Sequence, residues 1–214
     1  MFAASGEAIE ICDLTDNILL FETLDEDELD SAYRFNLVLS LTSEDYVDML
    51  ISKEIPFRCH LKIDTGMNRY GLKTYNELNK TLSILKQNKN IIIEGIYTHF
   101  SSDEFESNYF EKQIKKFKKL INTKEYNIIH ANATKNLHKE VVGNYVRVGI
   151  GLYGYHNPYL KLLRSVSLNA KPKNIFKTTN NTKISYIQKK SSNQLIGIIN
   201  YGYNDLDFKN LQYI

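Results

Sequence analysis

His60-Leu61-Lys62-Ile63-Asp64-Thr65-Gly66-Met67-Asn68-Arg69-Tyr70-Gly71-Leu72 is the stretch from which the rest of the chain is read. Its first half alternates. Cys59, Leu61 and Ile63 fall on one face of an extended segment and His60, Lys62 and Asp64 on the other, which is the period of a β-strand. Asp64-Thr65-Gly66 then breaks the strand, and Gly66 and Gly71 bracket a loop that carries Arg69. A polar loop leaving the carboxyl end of a strand is where α/β proteins place their chemistry. Residue types alone nevertheless favour a surface turn with a solvated arginine.

On either side of this stretch, short apolar strands alternate with amphipathic helices. Upstream, residues 7–14 read as helix and residues 18–21 and 37–41 as strands, and Thr42 is placed to cap a helix whose first turn holds Glu44 and Asp45. Downstream, Thr74-Tyr75-Asn76-Glu77 has the form of a capping box and opens a helix with Leu78, Leu82 and Leu85 on one face. Residues 91–100 read as a strand, and Phe110, Ile114, Phe117 and Ile121 give a helical stripe. Lys115, Lys116, Lys118 and Lys119 lie off that stripe and read as its solvated outer face. Residues 128–130 and 146–149 are two further strands, so the alternation argues for parallel βαβ units. Beyond about residue 163 the period changes: 183–186 and 195–201 are strand-like with no amphipathic helix between them. The expectation is an α/β domain over 1–165 and the start of a β-rich domain over 166–214.

Composition narrows the class. The 214 residues suffice for one large domain or two small ones with a sizeable core. A net charge of +2 points to neither a nucleic-acid nor a membrane partner. Cys12 and Cys59 show no paired spacing and no metal-ligand pattern, which suits a reduced, cytoplasmic setting. No apolar run approaches the roughly 20 residues of a spanning helix. Met1-Phe2-Ala3-Ala4-Ser5-Gly6-Glu7 lacks the basic region and apolar stretch of a signal peptide.

Five strings in one order carry a resemblance: Lys62 to Gly71; Gly95-Ile96-Tyr97-Thr98-His99-Phe100; Ile128-Ile129-His130-Ala131-Asn132-Ala133-Thr134; Val146-Arg147-Val148-Gly149-Ile150-Gly151-Leu152-Tyr153-Gly154; and Gly202-Tyr203-Asn204-Asp205. Together they resemble the alanine racemase family, fold-type III enzymes that depend on pyridoxal 5'-phosphate. The resemblance implies an eight-stranded α/β barrel of the TIM type, here partial, followed by a mostly β domain. It also implies a homodimer that interconverts L-alanine and D-alanine and supplies D-alanine for cell-wall peptidoglycan. Removing a Cα proton needs an electron-withdrawing cofactor, which pyridoxal phosphate supplies as a Schiff base with the substrate, and two bases on opposite faces. In the family one base is the cofactor lysine and the other a tyrosine from the partner subunit.

Carried over by resemblance, Tyr186 is the second base, although by residue type it reads as one of 15 tyrosines and an ordinary strand residue. His99, otherwise a core histidine, would hydrogen-bond that tyrosine and lower its pKa. Arg147, otherwise one half of a buried salt bridge, would face the cofactor's pyridine nitrogen and keep it unprotonated, weakening the ring as an electron sink. Arg69 would orient the substrate carboxylate and the cofactor's phenolic edge. Lys62 matches a lysine often carbamylated in the family, a change that would give Arg69 an anionic partner. Thr134, Gly149 and Ile150 would hold the phosphate, and Tyr203 would line the substrate entrance.

The sequence also departs from the pattern. Ile187 and Leu206 stand where the family usually has Gly, Ala133 where it has Asn, and Thr134 where it has Ser. None of the lysines sits in a Lys-Ala-Asn-Ala-Tyr-Gly-like cofactor motif, and the family's Met-x-x-Asp substrate string does not occur after Tyr203. The expectation is a fragment, a split gene or a decayed product that does not racemise by itself. The competing readings are a racemase of serine, lysine or another amino acid on the same barrel, a related decarboxylase, and a non-catalytic remnant.

Overall fold

Five parallel strands succeed one another across a single sheet in chain order in the computed structural model of the chain. They are β1 (Val38–Leu41), β2 (Phe57–Ile63), β3 (Ile91–Thr98), β4 (Ile128–Ala133) and β5 (Tyr145–Arg147). A parallel bridge from Leu19 to Val38 continues the sheet beyond β1, so the expected strand at 18–21 reduces to a single pairing. The structure describes residues 5–101, 107–121, 126–155, 159–167, 169–179, 182–184, 187–191 and 193–200. The chain divides into two units, Met1–Ser165 and Val166–Ile214.

Helices α1 (Ser5–Ile9) and α2 (Leu29–Arg34) precede β1, and α3 (Glu44–Ser52), α4 (Tyr75–Gln87) and α5 (Ser107–Leu120) join the next strands. Parallel neighbours need such crossovers. The strand order never reverses, so the sheet has no switch point and advances as the wall of an α/β barrel does. Caps fix where the helices start. Thr74 Oγ1 accepts from Glu77 N at 3.1 Å, and Glu77 reaches back to Thr74 N, completing the capping box. At α3 the cap is Ser43, whose hydroxyl accepts from Tyr46 N at 3.2 Å, and not Thr42, which is hydrogen-bonded to Thr23 instead. One residue decided this: the last extended residue, not the first hydroxyl, has the geometry of a cap.

The two faces of the sheet differ in chemistry. Leu39, Leu41, Cys59, Leu61, Ile63, Ile96 and Ile129 belong to the main apolar core together with α3 to α5 residues such as Leu50, Leu78 and Phe117. On the other face, register pairs Ser40 with His60, Lys62 with Tyr97 and Tyr97 with His130. This face is polar yet buried. Phe110, Ile114, Phe117 and Ile121 are buried as the stripe requires. Lys116 departs from the expected solvated face: its ammonium donates to Asp64 O at 2.9 Å, while Lys118 pairs with Glu140.

In the second unit, β6 (Asn174–Lys177) pairs antiparallel with β9 (Leu195–Ile198), and β7 (Thr182–Ile184) with β8 (Ile187–Ser191). Strand β6 was not legible in the sequence. Tyr186 and Tyr203 lie outside the described residues.

Candidate functional site

The carboxyl ends of β2 to β5 gather the site. After Ile63 the chain turns through a loop that folds back on its own strand: Leu72 N donates to Lys62 O and Asp64 N to Leu72 O, both at 2.9 Å. Asp64 Oδ1 accepts from Gly66 N at 2.9 Å and Asn68 N at 3.1 Å, so one carboxylate oxygen shapes the turn. Gly66 has φ +143°, and a Cβ there would lie 2.5 Å from the Tyr109 hydroxyl, which donates to Gly66 O. Thr65 is hydrogen-bonded to Thr98 at 2.9 Å, tying the loop to the end of β3. Arg69 rides this loop exposed and makes no hydrogen bond among the described residues.

Arg147, at the end of β5 and only 5% exposed, is held by acceptors alone. Nη1 donates to His130 Nδ1 at 2.7 Å and His130 O at 3.0 Å. Nη2 donates to Thr98 O at 2.7 Å, Ala131 O at 2.8 Å and His99 Nδ1 at 3.3 Å. Among the described residues no carboxylate pairs with it, which removes the salt-bridge reading. Nε has no acceptor among them either. Burial and the nearby phenol set its pKa at about 10, low for arginine but still a cation at neutral pH.

Because a guanidinium can only donate, the rings around it have fixed tautomers. His130 and His99 accept at Nδ1 and so carry their protons on Nε2. His130 Nε2 then donates to His60 Nδ1 at 2.9 Å. Burial and the neighbouring Arg147 push His99 down to about 4 and His130 to about 2, and burial takes His60 to about 4. All three rings are neutral at pH 7. The Tyr97 ring stacks on His130 at 4.6 Å, and its hydroxyl is 2.7 Å from Ser40 Oγ. Lys62 Nζ lies 4.5 Å from the centre of the Tyr97 ring. Burial, then Arg147 and Arg69, bring that ammonium down to about 7.

Next to Arg147 lies a cavity of about 370 Å³, whose lining includes His99, Thr134, Lys135, Arg147, Gly149 and Ile150. Thr134 follows β4 on a short 3-10 turn, and its hydroxyl accepts from Gly149 N at 3.1 Å and Gly151 N at 3.2 Å. The turn is pinned by Asn132, whose side chain accepts from Val142 N and donates to Asn136 O and Glu140 O. A Cβ added at Gly149 would meet nothing within 4 Å, so the backbone there borders open space. The cavity therefore offers a fixed cation with one unused donor, and a hydroxyl beside backbone amides: groups that suit an aromatic nitrogen base bearing a phosphate.

The structure brings Lys62, His99, Thr134, Arg147, Gly149 and Ile150 to one end of the sheet, with Arg69 close enough to act on Lys62, Tyr97 and His99. Sequence reasoning missed Ser40, Tyr97 and His130, the layer beneath Arg147. The signal was present in part, since His60 and Lys62 already marked the polar face, but which partners shared that face depends on register.

Residues 1–157 match the family described as "Alanine racemase, N-terminal domain". The alanine racemase of Fusobacterium nucleatum is 32% identical over 203 residues, covering 89% of this chain and 53% of that protein. That of Listeria innocua is 31% identical over 160 residues, covering 72% and 43%. The crystal structure of alanine racemase from E. faecalis superposes with a TM-score of 0.69 at 28% identity over 94% of this chain and 60% of that one. The biosynthetic alanine racemase of Pseudomonas aeruginosa, 21% identical, has the same fold, with a TM-score of 0.77 over 94% and 60%. The chain spans about half the length of the curated relatives it matches.

Proposed function

The chain belongs to the alanine racemase family, and from that premise we propose that it serves the interconversion of L-alanine and D-alanine with pyridoxal 5'-phosphate, as a cytoplasmic homodimer that supplies D-alanine for cell-wall peptidoglycan. When bound, the cofactor supplies the electron-withdrawing ring that makes the Cα proton removable. No lysine of this sequence matches the family's cofactor motif, so the first base is left unassigned; the roles that follow are those of this chain's own residues.

One observation carries the reading: Arg147 is buried, has its Nη groups saturated by carbonyls and imidazoles, and keeps Nε for a further acceptor. A guanidinium so held stays protonated at neutral pH and cannot hand a proton to a pyridine nitrogen. It would donate a hydrogen bond to that nitrogen and keep it unprotonated. The Thr134 hydroxyl and the amides of Gly149 and Ile150 would hold the phosphate. Arg69, exposed on its loop, would bind the substrate carboxylate. Neutral His99 has its Nε2–H available to donate towards the phenol oxygen of Tyr186, the proposed second base across the dimer interface, and Tyr203 would border the substrate entrance. A neutral Lys62 amine is nucleophilic, and attack on carbon dioxide would give a carbamate and release a proton, replacing a cation beside Arg69 and Arg147 with an anion.

Titration of the purified chain with pyridoxal 5'-phosphate tests this. Saturable binding that survives Thr134→Ser, and falls in Thr134→Ala and in Arg147→Ala, supports it. Unsaturable reaction scattered over surface lysines, equal in all variants, overturns it.

A further inference from the structure

We propose that His60 is a positioning residue for Arg147: it accepts the Nε2 proton of His130 and so keeps that ring's Nδ1 lone pair on the guanidinium. The inference rests on the reading of Arg147 as the partner of the cofactor's ring nitrogen and extends it to a residue on a more distant strand. His60 stands on β2 and His130 on β4, with β3 between them. Two features of β3 let the rings meet. The pairing of β2 with β3 slips between Cys59 and His60, so that Cys59 faces Ile93, His60 faces Gly95, and Glu94 is passed over as a bulge. At Gly95 a Cβ would lie 2.9 Å from His60 Cε1 and 3.0 Å from His60 Nδ1. The absent side chain leaves that room to the imidazole, whose Nδ1 is 2.9 Å from His130 Nε2.

Proton positions then follow in order from the guanidinium. Arg147 Nη1 can only donate, so His130 Nδ1 accepts and the proton of that ring sits on Nε2. Both histidines are buried, and an Nε2–H left in that layer without an acceptor costs stability. Among the described residues, His60 Nδ1 is the acceptor that His130 Nε2 has. The other tautomer of His130 would set one N–H against another and release Nη1 from one of its two acceptors, leaving only His130 O. His60 in turn makes its ring hydrogen bond to His130 alone among the described residues, and lines a second cavity of about 280 Å³ on the way to Arg147. A guanidinium released at Nη1 would lose the fixed direction of its Nε, the donor kept for the ring nitrogen.

The test compares the full chain with His60→Asn, His60→Gln and His60→Leu. Asparagine places an amide oxygen near the Nδ1 position, glutamine carries its amide beyond it, and leucine has no acceptor. Nitrogen-15 NMR of the imidazoles and the arginine side chain is read first, with no ligand added. The parent and His60→Asn should show His130 protonated on Nε2 alone and a slowly exchanging Arg147 Nε–H. In His60→Gln and His60→Leu the His130 signals should become a mixture of tautomers, and Arg147 Nε–H exchange should quicken about tenfold. Affinity for pyridoxal 5'-phosphate should fall about tenfold in the same two variants, with inorganic phosphate affinity unchanged. Parent-like His130 and Arg147 signals in both disrupted variants overturn the proposal, since water then replaces the imidazole. Equal changes in His60→Asn also overturn it, because they report packing instead of an acceptor. If His60→Leu does not fold, the contrast between His60→Asn and His60→Gln decides. Altered signals with an ester affinity that does not follow them, or with no ester binding by the parent, support the positioning of Arg147 and overturn its assignment to the ring nitrogen.

Discussion

Arg147 shows how much one side chain organises. It joins the ends of β3, β4 and β5 through three carbonyls and two imidazoles. Replacing it with Met keeps the volume and strands those acceptors without a donor, so Arg147→Met should lower stability by roughly 2–4 kcal/mol. Urea unfolding checks this, and a variant as stable as the parent would show that the carbonyls find water instead. Lys62 gives a second prediction at this scale. With its pKa brought to about 7 by burial and by the two arginines, a large share of the amine is neutral at pH 7.5. A carbon-13 bicarbonate solution should therefore yield a carbamate signal that disappears in Lys62→Arg and on acidification to pH 6. Absence of the signal in the parent would rule out carbamylation.

The decisive element is the return loop after β2, clamped by α5. Tyr109 donates to Gly66 O and Lys116 to Asp64 O, and buried Gln113 lies 3.5 Å from Thr65 Oγ1. Gly66→Ala meets two obstacles, a φ of +143° and the Tyr109 hydroxyl 2.5 Å from the new Cβ. It should cost about 1–3 kcal/mol of stability. Tyr109→Phe in the same chain should recover only the steric part, so thermal unfolding of the double variant separates strain from collision. At the start of α4, Thr74→Ala removes one half of the capping box and should cost about 1 kcal/mol. A loss confined to the site loop would show up instead as unchanged melting with altered ligand binding.

For the molecule as a whole, the buried polar face makes stability depend on pH. His60 and His99 titrate near 4 and His130 near 2 in the folded chain, against about 6.5 when unfolded. Between about pH 6.5 and 4 the unfolded chain thus binds more protons, and stability falls as pH drops through that window. Lys62 adds to this on the alkaline side: it is neutral above about 7 when folded and only above about 10.4 when unfolded, so stability rises with pH between those values. The urea midpoint should be lower at pH 5 than at pH 7.5, and His60→Gln with His130→Gln should flatten that difference. A midpoint unchanged with pH would mean that the histidines are solvated.

The sequence by itself determined the periodicities and the special residues. The alternation of Cys59 to Asp64 became the two faces of β2, Phe110 to Ile121 became the buried side of α5, and Gly66 and Gly71 bracket the loop that carries Arg69. These follow from local rules, the two-residue period of a strand, the repeat of a helix and the left-handed freedom of glycine. The motif strings also carried Arg147 and Thr134 to one end of the sheet. Only the tertiary structure decided that His60, Lys62, Tyr97 and His130 share one buried layer, because that depends on the register of three separate strands. It also decided that Arg147 is held by carbonyls rather than carboxylates, that Lys116 reaches back to Asp64, and that Lys135 lines the cavity. Partners far apart in sequence are chosen by packing, and no local pattern encodes a distance across a sheet.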